Sequence, residues 1–316
     1  MMTSLTRNET ARFLMEHNRF ALVTHRRPDG DTLGSAALLC RGLRQLGKTA
    51  HVLCNPEVTE KYAGLLEGLT KAAAEEADTV VTVDVASPNM LGGHFAHLQE
   101  KAVLRIDHHG SATSFTPYEL VEPETAACGE IVYGVLRQMG AVLDKPMAEA
   151  LYTAVSTDTG CFRYANTRAN TLRAAADCLE AGADTFGLNQ ILFETNSLGR
   201  LRLQGWLVEN AIFLQGGKIA ICALPKSKEL ELNLTEDDLE NISGFPRTIA
   251  GVKIAATLRQ ESADTVKMSV RAVPGCDAAA ICRKFGGGGH TGAAGASMKM
   301  TMEEAVEAVK AAMPET

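Results

Sequence analysis

Side chains that bind metal ions are concentrated in one short stretch near the start of the chain. His25, Asp29 and Asp31 lie within seven residues, soon after the apolar run Phe20–Val23. The apolar run is typical of a buried strand, and a proline and a glycine favour a turn after it. We expect the three side chains to lie on a loop at the end of that strand, where open α/β sheets bind their ligands. An imidazole and two carboxylates there indicate a metal site that other segments complete.

The same arrangement, a predicted strand followed by metal-binding side chains, recurs twice along the chain. Asp84 follows one β-branched segment, and Asp107, His108 and His109 follow another apolar segment. A single aspartate after a strand usually caps a helix, but capping does not require histidines. Asp158 is a weaker candidate, because the glycine two residues later would also end a helix well. Parallel strands present their carboxyl ends to one edge of the sheet, so we expect these side chains to converge there.

A run of four glycines followed by His290 is the second feature that indicates ligand binding. Gly286–Gly289 costs so much chain entropy that the run needs a reason. A glycine backbone approaches a ligand closely and offers N–H groups to an anion, so we expect this run and His290 to contact phosphate. Arg271 and Arg283 could add charge-assisted bonds, although solvated surface arginines are commoner. The alternative is a flexible linker, which the position of the run between a predicted helix and strand disfavours.

Strands and helices alternate through the first part of the chain. We predict strands at 20–23, 50–54, 78–83 and 102–106, and helices at 11–16, 35–46, 58–69, 88–98, 125–139, 146–156 and 166–181. This alternation is typical of a doubly wound α/β domain with a parallel sheet. The sequence therefore predicts the kind of fold that would gather the metal-binding side chains.

The pattern changes near residue 216, which indicates a second, smaller domain. Segments 218–224, 252–258 and 265–273 are typical of strands, the last two as an antiparallel pair, and 277–285 and 302–313 are typical of helices. The stretch before them holds no strand signal. We predict a metal-binding domain at 1–185, a helical linker at 186–215 and a substrate-binding domain at 216–316.

The composition limits the class of protein. The chain has 316 residues, of which 46% are hydrophobic and 22% charged, as in ordinary globular proteins. A formal net charge of −7 argues against binding to long duplex nucleic acid, which depends on lysines and arginines that neutralise phosphates. Eight dispersed cysteines, with no signal-like or membrane-length apolar run, predict free thiols and a cytoplasmic protein.

The series of motifs resembles the DHH-DHHA1 phosphoesterases and, within them, the nanoRNases, which are bifunctional oligoribonucleases and pAp phosphatases. The motifs occur in the family's order and the resemblance covers nearly the whole chain. It implies an N-terminal doubly wound parallel-sheet DHH domain and a smaller C-terminal α/β DHHA1 domain with a mixed sheet, joined by a helical linker. It also implies very short RNA and pAp as substrates, with nucleoside monophosphates as products.

The resemblance further implies two divalent metal ions, usually manganese, and a role for each motif. One ion would be held by His25 and Asp29. The other would be held by Asp31, His108 and Asp158, and Asp84 would bridge the two. Asp107 would support the site, and His109 would face the substrate phosphate. Oxygen ligands with one imidazole per ion suit manganese better than a thiolate-binding metal, and magnesium, cobalt and zinc stay open.

The resemblance assigns the second domain to the substrate. The phosphate of a terminal nucleotide would be held by Gly287, Gly288, Gly289 and His290, with Arg271 as a helper. Two alternatives share this chemistry, a phosphodiesterase for c-di-AMP or its linear product and a RecJ-like single-strand exonuclease, and the short chain disfavours the second. An inorganic pyrophosphatase would carry a different second domain. A nucleotide-binding protein without activity is disfavoured because all six metal-binding positions are present. A homodimer is possible, and cleavage polarity stays open.

Overall fold

The computed structural model describes residues 2–74, 77–110 and 113–315. It divides the chain into two compact units, Met1–Thr195 and Asn196–Thr316. The boundary falls inside the segment 186–215 that the sequence predicts to be a linker, and a separate linker stays a prediction. No helix within the described ranges is long and apolar enough to cross a membrane.

The first unit is built on a seven-stranded sheet in which every pair of neighbouring strands is parallel. Its strands are Thr3–Ser4 (β1), Arg19–Val23 (β2), Thr49–Leu53 (β3), Thr70–Lys71 (β4), Thr79–Val83 (β5), Ala102–Asp107 (β6) and Tyr118–Val121 (β7). They lie in the order β1-β7-β6-β5-β2-β3-β4. Every residue of β5 is buried, as a strand covered on both faces requires.

Helices cover both faces of this sheet. They are Arg7–Glu16 (α1), Gly30–Gln45 (α2), Glu60–Ala63 (α3), Gly92–Phe95 (α4), Cys128–Gln138 (α5), Lys145–Asp158 (α6), Ala169–Glu180 (α7) and Thr185–Asn189 (α8), the last followed by a π turn at Gln190–Glu194. Alternate residues of β2 enter different cores. Phe20 and Leu22 pack into the larger core. Ala21 and Val23 pack into the smaller one.

Close packing between α2 and α6 brings the start of one helix beside the end of the other. A Cβ atom on Gly34 would lie 2.5 Å from the carbonyl oxygen of Ala150, so only glycine allows this approach. Nearer the start of α2, a Cβ atom on Gly30 would lie 2.5 Å from Thr157 Oγ1. This contact places the first turn of α2 next to the last turn of α6, where Asp158 lies.

Several predicted elements of the first unit differ from the structure. Helix α2 begins at Gly30 rather than at residue 35, so the expectation of a loop was wrong for Asp31, which lies in the first helical turn; Asp29 is the N-cap. The predicted helices 58–69 and 88–98 are short helical turns, because glycines interrupt them. Strand β7 was not predicted.

The second unit contains a six-stranded mixed sheet in the order β12-β13-β11-β10-β9-β8. Its strands are Ile212–Leu214 (β8), Ile219–Leu224 (β9), Ile254–Ser262 (β10), Thr265–Ala272 (β11), Gly288–Gly289 (β12) and Ala293–Met298 (β13). The pair β9–β10 is parallel, and the other pairs are antiparallel. The expectation that 186–215 holds no strand was wrong, because β8 is an edge strand of three residues, too short to show a periodicity.

Within the residues that the structure describes, five α-helices complete this unit. They are Leu198–Glu209 (α9), Lys226–Glu231 (α10), Glu236–Leu239 (α11), Ala278–Arg283 (α12) and Met302–Ala312 (α13). The larger core joins the sheet to α12 and α13. A smaller core joins Leu203 and Leu207 of α9 to Cys222 and Leu224 of β9. The predicted antiparallel pairing of β10 with β11 is confirmed over eight residue pairs.

Candidate metal centre

Polar side chains meet at the carboxyl edge of the first unit's sheet. Strands β2, β5 and β6 end there, next to one another in the sheet. The residues after these strands, with those from the start of α2 and the end of α6, form three overlapping groups of potential metal ligands: His25, Asp29 and Asp84; Asp31, His108 and Asp158; and Asp84, His108 and His109. In each group the ligand atoms all lie within 4.8 Å of one another.

The first group is organised around His25. Its Nε2 lies 3.7 Å from Asp29 Oδ1 and 3.7 Å from Asp84 Oδ2. Its Nδ1 lies 2.8 Å from the carbonyl oxygen of Arg26. A proton on Nδ1 donates to that carbonyl and leaves the Nε2 lone pair directed at the two carboxylates. This arrangement fixes the ring in the orientation that a metal ligand needs.

The second group repeats this geometry around His108. Its Nε2 lies 3.7 Å from Asp31 Oδ2, 3.6 Å from Asp84 Oδ1 and 3.8 Å from Asp158 Oδ2. Its Nδ1 lies 3.2 Å from the carbonyl oxygen of Thr125 and donates a hydrogen bond to it. Both histidines therefore direct Nε2 at carboxylate oxygens and hold Nδ1 on the backbone.

Asp84 lies between the two histidines and contacts both of them. One carboxylate oxygen, Oδ2, faces His25, and the other, Oδ1, faces His108. Its backbone has a φ of +59°, in the left-handed region that non-glycine residues rarely adopt. Asp84 Oδ1 is buried and has no hydrogen-bond partner within the described part of the chain. A strained backbone that holds an unpaired buried oxygen between two histidines fits a carboxylate that bridges two cations.

The carboxylates crowd one another. Burial, and then the charges of Asp31 and Asp29, raise the pKa of Asp84 well above its usual value. Burial and the charge of Asp31 also raise the pKa of Asp158, to about 8. Such shifts arise when negative groups share a poorly solvated space, and a cation among them would reverse the shifts. The donor set, mostly carboxylate oxygens with a few imidazole nitrogens, fits a divalent ion such as manganese.

The N-terminus of α5 supports Asp31. The carboxylate accepts hydrogen bonds from Cys128 N at 2.7 Å, Gly129 N at 3.0 Å and Ser35 Oγ at 2.9 Å. The N-cap residue of α5, Ala127, has no side chain that could cap the helix, so Asp31 supplies this cap from another helix. The positive end of the helix favours the charged carboxylate.

Asp107 holds His109 rather than joining either group. Its Oδ1 accepts hydrogen bonds from His109 Nδ1 at 2.8 Å and from the backbone N of His108 and His109 at 2.8 and 3.1 Å. Burial raises the pKa of Asp107, but the bonds from His109 and the charge of Arg105 lower it more, so the net shift is downward. The His109 side chain is 34% exposed, so the ring is available to a substrate.

The buried residue Arg105 was not singled out from the sequence. Its side chain is 2% exposed, 3.7 Å from Asp107 Oδ2, and it donates a 2.9 Å bond to Glu119 Oε2. It also donates to the carbonyl oxygens of Ala86 and Thr113. A charged residue in an otherwise apolar strand, two positions before Asp107 and so on the same face, is the signal that could have identified it.

The predicted substrate-binding residues lie together in the second unit. Gly288 and Gly289 form β12, which pairs with β13, and the exposed His290 donates from its backbone N to Ala293 across a tight turn. Arg271, on β11, lies opposite Ala293 in register. Whether these residues bind phosphate stays a prediction. Arg283 instead forms a 3.4 Å ion pair with Asp277.

The chain is similar to known proteins over most of its length. Residues 19–155 match the DHH family, N-terminal domain, and residues 216–315 match the DHHA1 domain. The bifunctional oligoribonuclease and PAP phosphatase NrnA of Thermus thermophilus is 33% identical over 303 residues, covering 93% of this chain and 89% of that protein. The probable manganese-dependent inorganic pyrophosphatase of Streptococcus mutans is 27% identical over 195 residues, covering 57% of this chain and 62% of that protein.

A solved structure shows that the whole architecture recurs. An exopolyphosphatase-related protein from Bacteroides fragilis superposes with a TM-score of 0.86. The match covers 97% of this chain and 94% of that one, at 24% identity. At this identity the likeness concerns the fold.

Proposed function

Because the chain belongs to the DHH family and carries a DHHA1 domain after the family's N-terminal domain, we propose that it is a metal-dependent phosphoesterase. Its substrates are short oligoribonucleotides, which it hydrolyses to nucleoside monophosphates, and pAp, from which it removes a phosphate. The substrate class is supported by the 33% identical relative that is named for both activities. The alternative, a phosphodiesterase for c-di-AMP or pApA, would use the same residues.

The observation that carries this proposal is the position of Asp84 between His25 and His108. Two histidines, each with its Nδ1 bound to the backbone, direct Nε2 at opposite oxygens of one buried carboxylate. A purely structural role does not explain a buried oxygen without a hydrogen-bond partner or a left-handed aspartate. A binuclear site explains both.

The residues divide between two divalent ions, which we propose to be manganese. His25 and Asp29 would hold one; Asp31, His108 and Asp158 would hold the other; and Asp84 would contribute to both. Bound ions at such a site stabilise charge on phosphoryl oxygens and lower the pKa of water. Manganese is supported by the name of the pyrophosphatase relative and by the donor set.

His109 is the residue that would contact the substrate. Its Nδ1 donates a hydrogen bond to Asp107, so Nε2 is the nitrogen that is left to contact a phosphate or a leaving oxygen. The carboxylate behind it keeps the ring in one tautomer and one orientation. His109 and Asp107 therefore act as a pair that orients substrate and moves a proton.

In the second unit, Gly287, Gly288, Gly289, His290 and Arg271 would bind a substrate phosphate through backbone N–H groups and side-chain charge. We propose short substrates for an acidic protein because few phosphate contacts are then required. A homodimer is a further prediction, which sedimentation of the purified protein would check.

The test is a substrate panel with purified protein and manganese. We expect release of AMP from di- to pentaadenylates and of phosphate from pAp, and complete loss with a chelator. Asp84→Ala should abolish both reactions. A matched control is Asp78→Ala, which removes an exposed carboxylate paired with Arg19 and should leave the rates unchanged.

The panel separates the candidate functions. Rapid hydrolysis of c-di-AMP with slow cleavage of longer oligomers would favour the cyclic-dinucleotide alternative. Binding of nucleotides without hydrolysis under any divalent ion would contradict the proposal and indicate a nucleotide-binding protein.

A further inference from the structure

The turn that follows Asp158 has an unusual backbone. Gly160, Cys161 and Phe162 have φ values of +56°, +58° and +61°, so three consecutive residues are left-handed. Two of them carry side chains that disfavour this conformation. Strained turns of this kind persist only where the surroundings hold them, and they are common at functional sites. This one begins two residues after a proposed metal ligand.

The turn is held firmly against the metal centre. Cys161 N donates to the carbonyl oxygen of Ser156 at 2.6 Å, and Tyr164 N donates to that of Thr159 at 3.0 Å. The amide of Asn166 donates to the carbonyl oxygen of Asp158 at 3.1 Å and to that of Ala126, just before α5, at 3.2 Å. The turn is therefore attached to the two helix ends that carry and support the second ligand group.

The turn directs its two rings differently. Phe162 packs against the core of the first unit, where its ring centroid lies 5.9 Å from that of Tyr152. Tyr164 instead remains 49% exposed. Its ring lies directly over Gly160, because a Cβ atom there would be 2.3–2.6 Å from the ring carbons. Any other residue at position 160 would push the ring away, so the glycine provides the space in which this ring lies.

We propose that Tyr164 is a stacking surface for the nucleobase of the nucleotide whose phosphate is bound at the metal centre. An aromatic ring binds any base through its face, so it adds affinity without selecting a sequence. Stacking also suits a site rich in carboxylates, because it adds affinity for the nucleotide without requiring positively charged side chains. The identity of the ligand rests on the proposed function; the position of the ring does not.

The first test measures hydrolysis of pApA and of two analogues, each lacking one base. Tyr164→Ala should raise KM for pApA about tenfold, equivalent to about 1.4 kcal/mol, with kcat unchanged because stacking binds substrate and transition state alike. Tyr164→Phe should behave as wild type. Wild type should discriminate against one base-free analogue, and Tyr164→Ala should lose that discrimination. The control is Phe186→Ala, which removes a ring that is 71% exposed on α8.

The second test does not depend on turnover. Tyr164→Trp is titrated with AMP and with ribose 5-phosphate in manganese, and the signal of Trp206 is subtracted with wild type. We expect AMP, but not ribose 5-phosphate, to quench the new fluorescence, and neither to quench a Phe186→Trp control.

The outcomes separate the two proposals. Hydrolysis without AMP-specific quenching, and with equal KM for wild type and Tyr164→Ala, overturns the stacking inference alone. AMP-specific quenching without any hydrolysis overturns the proposed function and leaves the stacking surface. Absence of both overturns both.

Discussion

Replacing Asp84 with asparagine should stabilise the metal-free protein and abolish its stabilisation by metal. Asparagine keeps the shape of the side chain and removes its charge. The pKa of Asp84 is raised by burial and by neighbouring carboxylates, whereas in the unfolded chain the group is freely ionised at neutral pH. Folding at neutral pH therefore costs free energy, either to protonate Asp84 or to hold its charge near the other carboxylates. The substitution removes that cost.

The size of the effect follows from the geometry. The ligand atoms of Asp29 and Asp84 lie within 4.8 Å. Two unit charges at that distance repel by roughly 3.5 kcal/mol when the effective dielectric constant is about 20. An amide with incomplete hydrogen bonding costs about 1–2 kcal/mol. We therefore expect a net gain of about 2 kcal/mol, which corresponds to a rise in Tm of roughly 4–8 °C for a domain of this size.

The assay is thermal unfolding in chelator and in saturating manganese. At a manganese concentration about 100 times Kd, the free energy of unfolding of wild type should increase by about 2.7 kcal/mol. Wild type should therefore be less stable than Asp84→Asn in chelator and more stable than Asp84→Asn in manganese. The matched control is Asp107→Asn. Asp107 is also a buried carboxylate at the end of a strand, but its pKa is lowered because His109 and Arg105 outweigh its burial. Its loss should destabilise the metal-free protein by about 1–3 kcal/mol.

Asp84→Asn is thus expected to be more stable than wild type in chelator and not to be stabilised by manganese, and each result can be contradicted separately. If Asp84→Asn is less stable than wild type in chelator, the carboxylate stabilises the fold and the repulsion argument is wrong. If manganese stabilises the variant as much as wild type, Asp84 does not bridge two ions.

Further predictions concern Asp158, two glycines of the second unit, and Arg105. The pKa of Asp158 is about 8 in the folded protein and about 3.9 in the unfolded chain. Between these pH values the folded state binds more protons than the unfolded state, so the stability in chelator should fall as the pH rises. Urea unfolding across this pH range should show that fall, and manganese should abolish it. Gly287→Ala would place a Cβ atom 2.2 Å from the carbonyl oxygen of Gly295 and should lower Tm, whereas Gly288→Ala has open space and should keep Tm while raising KM for oligonucleotides. Arg105→Met would remove the positive charge that neutralises the buried carboxylates of Glu119 and Asp107, and should destabilise the protein by about 3–5 kcal/mol in thermal unfolding.

Much of the fold could be predicted because its signals are local. Phe20–Val23 is a continuous apolar run, and segment 79–83 consists only of valine and threonine, which are β-branched. Only a sheet covered on both faces would bury such segments completely. Strand β7 and strand β8 could not be predicted in this way. They have four and three residues, and they are strands because neighbouring strands offer hydrogen bonds, not because of their own pattern.

The sequence could predict which residues meet at the site but not the contacts that they make there. His25, Asp84 and the Asp107-His108-His109 triplet follow strands, and the rule that parallel strands end at one edge is enough to bring them together. The position of Asp31 on a helix, and its role as the cap of α5, depend on how helices pack against one another. The partner of Arg105, Glu119, lies on a strand that the sequence did not reveal.

The kind of chemistry is evident from the amino-acid sequence alone. The types and order of His25, Asp29, Asp31, Asp84, His108 and Asp158 indicate a metal-dependent reaction, because ligand chemistry belongs to the side chain and its place at a strand end belongs to the local pattern. The three-dimensional structure was needed to show which oxygen of Asp84 faces which histidine, and that the exposed ring of Tyr164 lies over Gly160. These depend on distances between segments far apart in the chain, and on left-handed backbone that the surrounding contacts impose against local preference.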